Sequence, residues 1–234
     1  MAKKSNEEVG PFEGFTRGTI PFLVGLAMNN EREWFEAHRS EYEADVMEPA
    51  KRLVVALGNR IRKFAPKIQF EPKVNGSIFR INRDTRFSKD KTPYKTHLAL
   101  WFWEGGTDGW GDSGFYFRLE PGVLILGAGR HGFEPDALAK LRRDIADAKK
   151  GASLEKAIAK VEKAGYDLNE PAYKRVPKPY PPDHPRAELL KHGGLHVGLH
   201  TKVPRELTSA SFADFCAKHF EKLVPVHRWL VDRK

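Results

Sequence analysis

The feature that most constrains the fold is a tight turn, Glu120-Pro-Gly-Val123, between two short runs of β-branched and aromatic residues. Proline at the first central position and glycine at the second favour a type II turn, which joins neighbouring antiparallel strands. The flanking residues, 114–120 and 123–128, are therefore predicted to be paired strands. A chain with this hairpin in its middle builds an antiparallel sheet around it.

Three further runs have the composition of strands, and they lie at residues 77–82, 98–104 and 195–203. In the second of these runs, alternate side chains point to opposite faces of the sheet, so Trp101 and Trp103 share one face. Leu100 and Phe102 occupy the other face. Because both faces are apolar, this run is predicted to be a central strand that is covered on both sides.

Helical segments are predicted on both sides of the strand region, at residues 19–28, 31–42, 53–64, 134–150, 153–163, 212–220 and 224–231. Asn30 is the predicted cap of the second helix, and Ser153 of the fifth. Strands in the middle of the chain with helices before and after them predict an α+β fold. We expect a mainly antiparallel sheet with N-terminal and C-terminal helices packed on it.

The chain has 234 residues, of which 40% are hydrophobic and 30% charged, the balance of a globular protein. Residues 1–10 are predicted to be a disordered tail and residues 11–234 a single α+β domain. No apolar run reaches the length of about 18 residues that a membrane helix needs, so no membrane association is expected. The single cysteine, Cys216, and the lack of an apolar secretion signal favour a cytoplasmic location.

Residues 80–97, from Arg80 to His97, have an unusual excess of positive charge, and we call them the basic segment. It has six cations against two carboxylates, a formal charge of +4, within a chain of net charge +9. Guanidinium groups offer planar forks of donors that match phosphate, and lysines add mobile positive charge. The basic segment is therefore predicted to bind a phosphate-bearing anion, with a nucleotide or nucleic acid as the favoured source.

The candidate anion-binding residues are Arg80, Arg83, Arg86, Lys89, Lys91, Tyr94, Lys95, Arg130 and His131. Phe87 and Tyr94 are candidates for stacking on a base. In one alternative the same site is an enzyme for phosphoryl groups, with Asp84 or His97 as its acid or base. Two further alternatives are a module that docks an acidic protein and a purely structural network of ion pairs. Whether the chain is an enzyme, and its oligomeric state, stay open.

The pattern R-D-x-R-F-S-x-D-K-x-P-Y-K at residues 83–95 resembles the signature of the family catalogued as domain of unknown function 2461. Gly14-Phe15, Trp34-Phe35 and the Pro-x-x-His-Pro pattern at residues 181–185 agree with this resemblance, which covers residues 11–230. It implies one α+β domain. It implies no activity, catalytic residue or cofactor, so the cofactor is unknown at this point.

Other patterns are interpreted as structural. Residues 127–132 match G-x-G-x-x-G, but Pro135 places the next helix beyond the third glycine, which favours a bend at a strand end over a dinucleotide site. His196 and His200 would share a strand face, but a third ligand at a recognisable spacing is missing, so no metal site is predicted. The proline-rich residues 171–185 are too long for a simple turn; loops of this length are commonly functional or mobile, and the structural alternative is a strap packed across the sheet.

Overall fold

The computed structural model describes residues 9–106 and 111–232, so most of the predicted N-terminal tail lies outside the described residues. The helices are α1 (Thr19–Met28), α2 (Arg32–Ala37), α3 (Arg39–Glu41), α4 (Glu48–Ile61), α5 (Pro135–Ala146), α6 (Ala148–Lys163), α7 (Ala187–Leu190) and α8 (Phe212–Val231). A π-helical turn spans Tyr42–Met47, and a 3-10 turn spans Arg205–Thr208. The strands are β1 (Leu98–Glu104), β2 (Ser113–Glu120), β3 (Val123–Arg130), β4 (Asp167–Leu168) and β5 (Leu195–Lys202).

The five strands form an antiparallel sheet in the order β1-β2-β3-β5-β4, with helices on both sides, which confirms the predicted α+β fold. In the turn between β2 and β3, Gly122 has a φ of +80°, as the second central position of a type II turn requires. The short strand β4 was not predicted. It pairs with β5 by placing Asp167 opposite Gly198 and Leu168 opposite Val197.

The prediction that β1 is a central strand was wrong, because β1 is the first of the five strands. Its neighbour on the other side is the short segment around Ile78, which forms an isolated antiparallel bridge to Leu100. The backbone N–H groups of Phe79 and Trp101 donate to the carbonyls of Ala99 and Ser77, at 3.1 and 2.8 Å. This segment covers the β1 edge, so a strand at the end of the sheet is nevertheless buried along most of its length.

The chain divides into two compact units. Unit 1 comprises the described parts of Met1–Phe102, with Tyr116–Leu126 and His200–His219. Unit 2 comprises the described parts of Trp103–Phe115 and Phe220–Lys234, with Gly127–Leu199. Four of the strands and α8 contribute residues to each unit.

The core of unit 1 combines the apolar stripe of α4 with aromatic side chains. Leu53, Leu57 and Ile61 recur at the spacing of one helical turn and are fully buried. The rings of Phe15 and Phe212 meet edge to face, with centroids 5.9 Å apart. Each such side chain adds about 1.5–3 kcal/mol of stability by leaving water.

In unit 2, α5 ends before Asp147 and α6 begins after it, so the prediction of one helix over residues 134–150 was wrong. The Asp147 carboxylate accepts hydrogen bonds from the backbone N–H groups of Lys149 and Lys150, at 3.0 and 2.8 Å. These contacts cap the start of α6. Ser153, the predicted cap, lies inside α6 and donates its hydroxyl hydrogen to the Lys150 carbonyl instead.

The two predicted C-terminal helices are one helix, α8, with Pro225 inside it. A proline removes a backbone hydrogen bond and usually ends a helix. In unit 2, however, the turns on both sides of Pro225 bury Phe220, Leu223 and Val226. The burial of these side chains outweighs the local cost of the proline.

The glycine pattern at residues 127–132 has a packing role in unit 2. Gly129 has a φ of +134°, and a Cβ atom there would collide with the backbone of Leu195 and His196 in β5. Glycine is therefore required where β3 and β5 approach each other.

The proline-rich residues 171–185 are irregular and largely exposed, and Tyr173 N–H donates to the Lys191 carbonyl at 3.0 Å. In the part of the chain that the structure describes, none of the helices combines the length and the apolar character needed to span a bilayer.

Candidate functional site

The basic segment folds back on itself as an irregular hairpin in unit 1. Asn82 and Tyr94 form an antiparallel bridge, and Arg83 N–H donates to the Pro93 carbonyl at 2.8 Å. The predicted strand at residues 77–82 is thus only partly confirmed, because its first half bridges β1 and its second half pairs within the segment. Residues 80–83 and 93–95 form the base of the hairpin, and residues 85–90 form its tip.

An amide side chain fixes the base of the hairpin. Asn30 Nδ2 donates to the Tyr94 carbonyl at 2.9 Å, and Tyr94 N–H donates to Asn30 Oδ1 at 3.0 Å. The prediction that Asn30 caps a helix was wrong, since Glu31 holds the cap position of α2. The Tyr94 ring is 6% exposed and stacks on Phe35 at 4.3 Å, so it does not present a face to a ligand.

Two ion pairs neutralise part of the segment. Arg86 donates to both carboxylate oxygens of Asp84, at 3.0 and 2.7 Å, and Arg83 bonds to Asp90. The Arg86 hydrogen bonds hold the pKa of Asp84 well below its usual range. The Arg83 hydrogen bond, followed by bonds from Thr92, lowers the pKa of Asp90 to about 2. The charges of these four residues are accounted for by ion pairs within the segment, as the structural alternative expects.

Four cations of the segment have no carboxylate within ion-pair distance among the described residues, and they are Arg80, Lys89, Lys91 and Lys95. Lys91 Nζ donates to the Thr85 carbonyl at 2.8 Å, and Lys95 Nζ donates to the Arg80 carbonyl at 2.9 Å. The surplus charge of +4 that the sequence shows is therefore still present after the segment has folded.

Two of these four cations, Arg80 and Lys95, lie at the base of the hairpin. Lys95 is half-buried, and its ammonium group lies 5.5 Å from the centroid of the Phe79 ring. Burial lowers the pKa of Lys95, and the neighbouring charge of Arg80 lowers it further. The charge of Arg80 also acts on Asp84, but that carboxylate is already paired with Arg86.

His97, at the end of the segment, is also half-buried. Burial, and next the charge of Arg118, lower the pKa of His97 to about 4. Arg118 itself is paired with Glu120 at 2.7 Å. At neutral pH the His97 ring is therefore uncharged and Asp84 is ionised, so neither group is in the protonated form that a general acid uses.

Arg130 and His131 lie in unit 2, where they have surroundings of their own. Arg130 Nε donates to the Gly132 carbonyl at 2.9 Å, and its guanidinium lies 4.3 Å from the Phe133 ring centroid. Arg130 also borders a cleft of about 160 Å³. His131 is exposed, with its ring 5.5 Å from that of His196. Arg130 and His131 thus have contacts within unit 2, and their predicted part in anion binding stays a prediction.

Sequence reasoning missed a buried polar network in unit 2, formed by Glu104, Ser113 and His227. Glu104 Oε1 accepts from Arg228 at 2.8 Å, and Glu104 Oε2 lies 3.2 Å from His227 Nε2. His227 Nδ1 lies 2.9 Å from Ser113 Oγ. The three residues are at most 3% exposed.

The proton positions in this network follow from its partners. The hydrogen bond with His227 lowers the pKa of Glu104, and burial lowers the pKa of His227. The carboxylate can only accept, so His227 Nε2 carries the proton and Nδ1 accepts from the Ser113 hydroxyl. These residue types also form nucleophile–base–acid chains in hydrolases, but here all three side chains are buried and serve the fold.

The separation of these residues along the chain explains why the network was missed. Glu104 and Ser113 belong to neighbouring strands, while His227 follows more than 100 residues later in α8. One signal was present: a carboxylate at the end of the apolar run Leu98–Glu104 requires a partner if the strand is buried. In residues 9–106 and 111–232, no group of three His, Cys, Asp or Glu side chains is arranged to hold a metal ion.

The family model described as "Conserved hypothetical protein (DUF2461)" matches residues 18–229. The chain belongs to this family. The DUF2461 match includes the whole basic segment and the three residues of the buried network. No curated protein matches this DUF2461 chain, and no solved structure does.

Proposed function

We propose that the chain binds a phosphate-bearing anion, part of a nucleotide or nucleic acid, at the base of the hairpin. The observation that carries the proposal is the placement of Arg80 beside the half-buried Lys95, with no carboxylate paired to either among the described residues. The repulsion between the exposed Arg80 and the half-buried Lys95 disfavours the folded state slightly. A bound phosphate would convert this repulsion into two charge-assisted contacts.

The rest of the segment supports binding more than acid–base chemistry. Asp84 is held as a carboxylate by Arg86, and His97 has a pKa of about 4. Neither group titrates near neutral pH, where a general acid or base works best. The net charge of +9 would draw polyanions to the surface from a distance.

Thermal unfolding of the full chain with added anions tests the proposal. The ligands are inorganic phosphate, a nucleoside triphosphate and a short oligonucleotide, each titrated at low salt. The variants are Arg80→Ala and Lys95→Met, the second of which keeps the apolar stem that packs near Phe79. Lys67→Ala, an exposed lysine of unit 1 outside the basic segment, is the matched control.

The wild type and the control should be stabilised by at least one of these anions, by about 2.7 kcal/mol at 100 times the dissociation constant. Arg80→Ala and Lys95→Met should lose that stabilisation. Without ligand, Lys95→Met should be at least as stable as the wild type at low salt, because it removes a repulsion. An absence of any anion effect on the wild type, or an unliganded Lys95→Met that melts early, contradicts the proposal.

A further inference from the structure

The tip of the hairpin carries an aromatic ring that is not packed into the core. Phe87 is 94% exposed, more than any other large hydrophobic side chain in the described residues. Isolated exposed apolar side chains are common on proteins, but a phenyl ring held almost entirely in water at the tip of a projecting hairpin gains nothing from folding. Its surroundings indicate what it can bind.

The neighbours of Phe87 are cationic. The Arg86 guanidinium lies 5.8 Å from the ring centroid and is held there by its two hydrogen bonds to Asp84. Lys89 and Lys91 follow within four residues, and neither is in an ion pair with a described residue. Phe87 is also the only apolar residue between Arg83 and Thr92.

This arrangement fits a nucleobase better than an apolar surface. A lipid bilayer or an apolar protein face would be matched by several apolar side chains, whereas the tip offers one ring among cations. A base stacks on a single aromatic ring, and the phosphates beside that base pair with the cations around it. The Arg86 guanidinium lies over the ring, 5.8 Å from its centroid, so a cation is already next to the surface on which a base would stack.

The length of the hairpin indicates that the ligand has several phosphates in a row. Residues 80–85 lead from Arg80 to the tip, and an extended run of this length spans roughly 15 Å. One phosphate group cannot contact both Lys95 at the base and Lys89 at the tip, but a nucleic-acid strand can. In a duplex the base faces are covered by stacking, so a free base face belongs to a single strand.

We infer that the ligand of the basic segment is single-stranded nucleic acid, with one base stacked on Phe87 and its phosphates on the cations of the hairpin. The inference rests on the proposed function, because it uses the same cations. It adds the class of ligand and the residue that distinguishes that class from a free phosphate.

Binding of a fluorescent oligothymidine, about 12 nucleotides long, to the full chain at low salt tests the inference. The variants are Phe87→Ala and Phe87→Trp, with Met28→Ala as the control, since Met28 is 80% exposed in unit 1 but lies outside the basic segment. Phe87 is so exposed that neither change disturbs the core. The same proteins are titrated with inorganic phosphate, a duplex of the same length, and vesicles that contain anionic lipid.

Phe87→Ala should weaken oligothymidine binding roughly 5- to 100-fold, the range of one lost stacking contact, and leave the salt dependence unchanged. Phe87→Trp should restore the affinity, and its added fluorescence should be quenched when the oligonucleotide binds. Met28→Ala should bind as the wild type does. Binding of inorganic phosphate should be unaffected by any change at Phe87.

Equal oligothymidine affinity of the wild type and Phe87→Ala overturns the inference. The proposed function survives that result if Arg80→Ala still abolishes phosphate binding, so the two failures are distinguishable. A duplex that binds as tightly, with the same dependence on Phe87, also overturns it. So does a blue shift of Phe87→Trp emission on anionic vesicles without quenching by the oligonucleotide.

Discussion

The basic segment and the buried network formed by Glu104, Ser113 and His227 are both built from charged and polar side chains. In the sequence, six residues of β1 separate the end of the basic segment at His97 from Glu104. In the network, Glu104 accepts from His227 and Arg228, and Ser113 completes the chain. In the basic segment, two arginines are paired, and four cations have no ion-pair partner within residues 9–106 and 111–232. One region balances its charges internally and the other does not.

Burial explains the difference. A charge inside a protein has to be paired because the interior cannot solvate it, so a buried carboxylate such as Glu104 recruits partners from distant parts of the chain. On an exposed hairpin, water solvates surplus cations at little cost, and the surplus stays available for a ligand. Unbalanced charge in a partly buried place, as at Lys95, therefore indicates function more strongly than a well-formed polar network does.

The largest expected effect is on stability, from Glu104→Ala. The change removes the buried carboxylate to which Arg228 and the Nε2–H group of His227 donate, and removing the buried partner in this way costs about 3 kcal/mol or more. Urea unfolding measures the loss. Anion binding at the hairpin should be unchanged in the folded variant.

Glu120→Ala is the matched control for this prediction, because Glu120 is also paired with an arginine, Arg118, but is partly exposed. Its loss should stay below about 1 kcal/mol. If the two variants lose equal stability, burial does not explain why the network balances its charges and the basic segment does not.

The next effect is a pH dependence that comes from His97. Its pKa is about 4 in the folded protein and near 6.5 in the unfolded chain, so between these values the unfolded chain binds the extra proton. Stability is therefore full above about pH 6.5 and declines as the pH falls towards 4. His97→Gln should show a smaller decline of the urea midpoint over this window.

His200→Gln, which changes an exposed histidine of unit 1, should decline as the wild type does. A phosphate bound near His97 would favour its charged form, so saturating anion should raise the pKa of His97 in NMR titrations and reduce the wild-type decline. A His97 pKa that does not respond to anion would separate this histidine from the proposed site.

Much of the fold follows from local sequence patterns. The turn at Glu120–Val123 and the apolar run Leu98–Glu104 depend on neighbouring residues alone, and both were predicted. The errors lie where distant contacts decide the outcome. Pro225 stays within a helix because the side chains in the turns on both sides of it are buried. β1 can lie at the end of the sheet because the segment around Ile78 covers its outer edge.

For the candidate site, the sequence predicted the surplus of cations but not its arrangement. The pairing of Arg83 with Asp90 and of Arg86 with Asp84 depends on the hairpin turn, which no propensity of those residues determines. The burial of Tyr94 depends on Phe35 and Asn30, about 60 residues earlier in the chain. Composition therefore indicated the candidate site, and folding decided which of its cations lack an ion-pair partner in the part of the chain that the structure describes.

The smallest effect on stability is expected from Asp84→Asn, which removes the charge that neutralises Arg86 but keeps an oxygen that can accept one of its hydrogen bonds. Because this pair is exposed, the melting temperature should not change measurably.

Oligonucleotide binding by Asp84→Asn should change, since Arg86 becomes available to a phosphate. The log–log salt slope should become steeper by about 0.7, the value for one more contact to a single strand. Glu36→Gln is the control, because Glu36 in α2 also forms an exposed two-bond pair, with Arg39 at the start of α3. An unchanged slope in Asp84→Asn would mean that Arg86 does not reach the strand, and it would confine the phosphate contacts to the cations that the fold leaves unpaired.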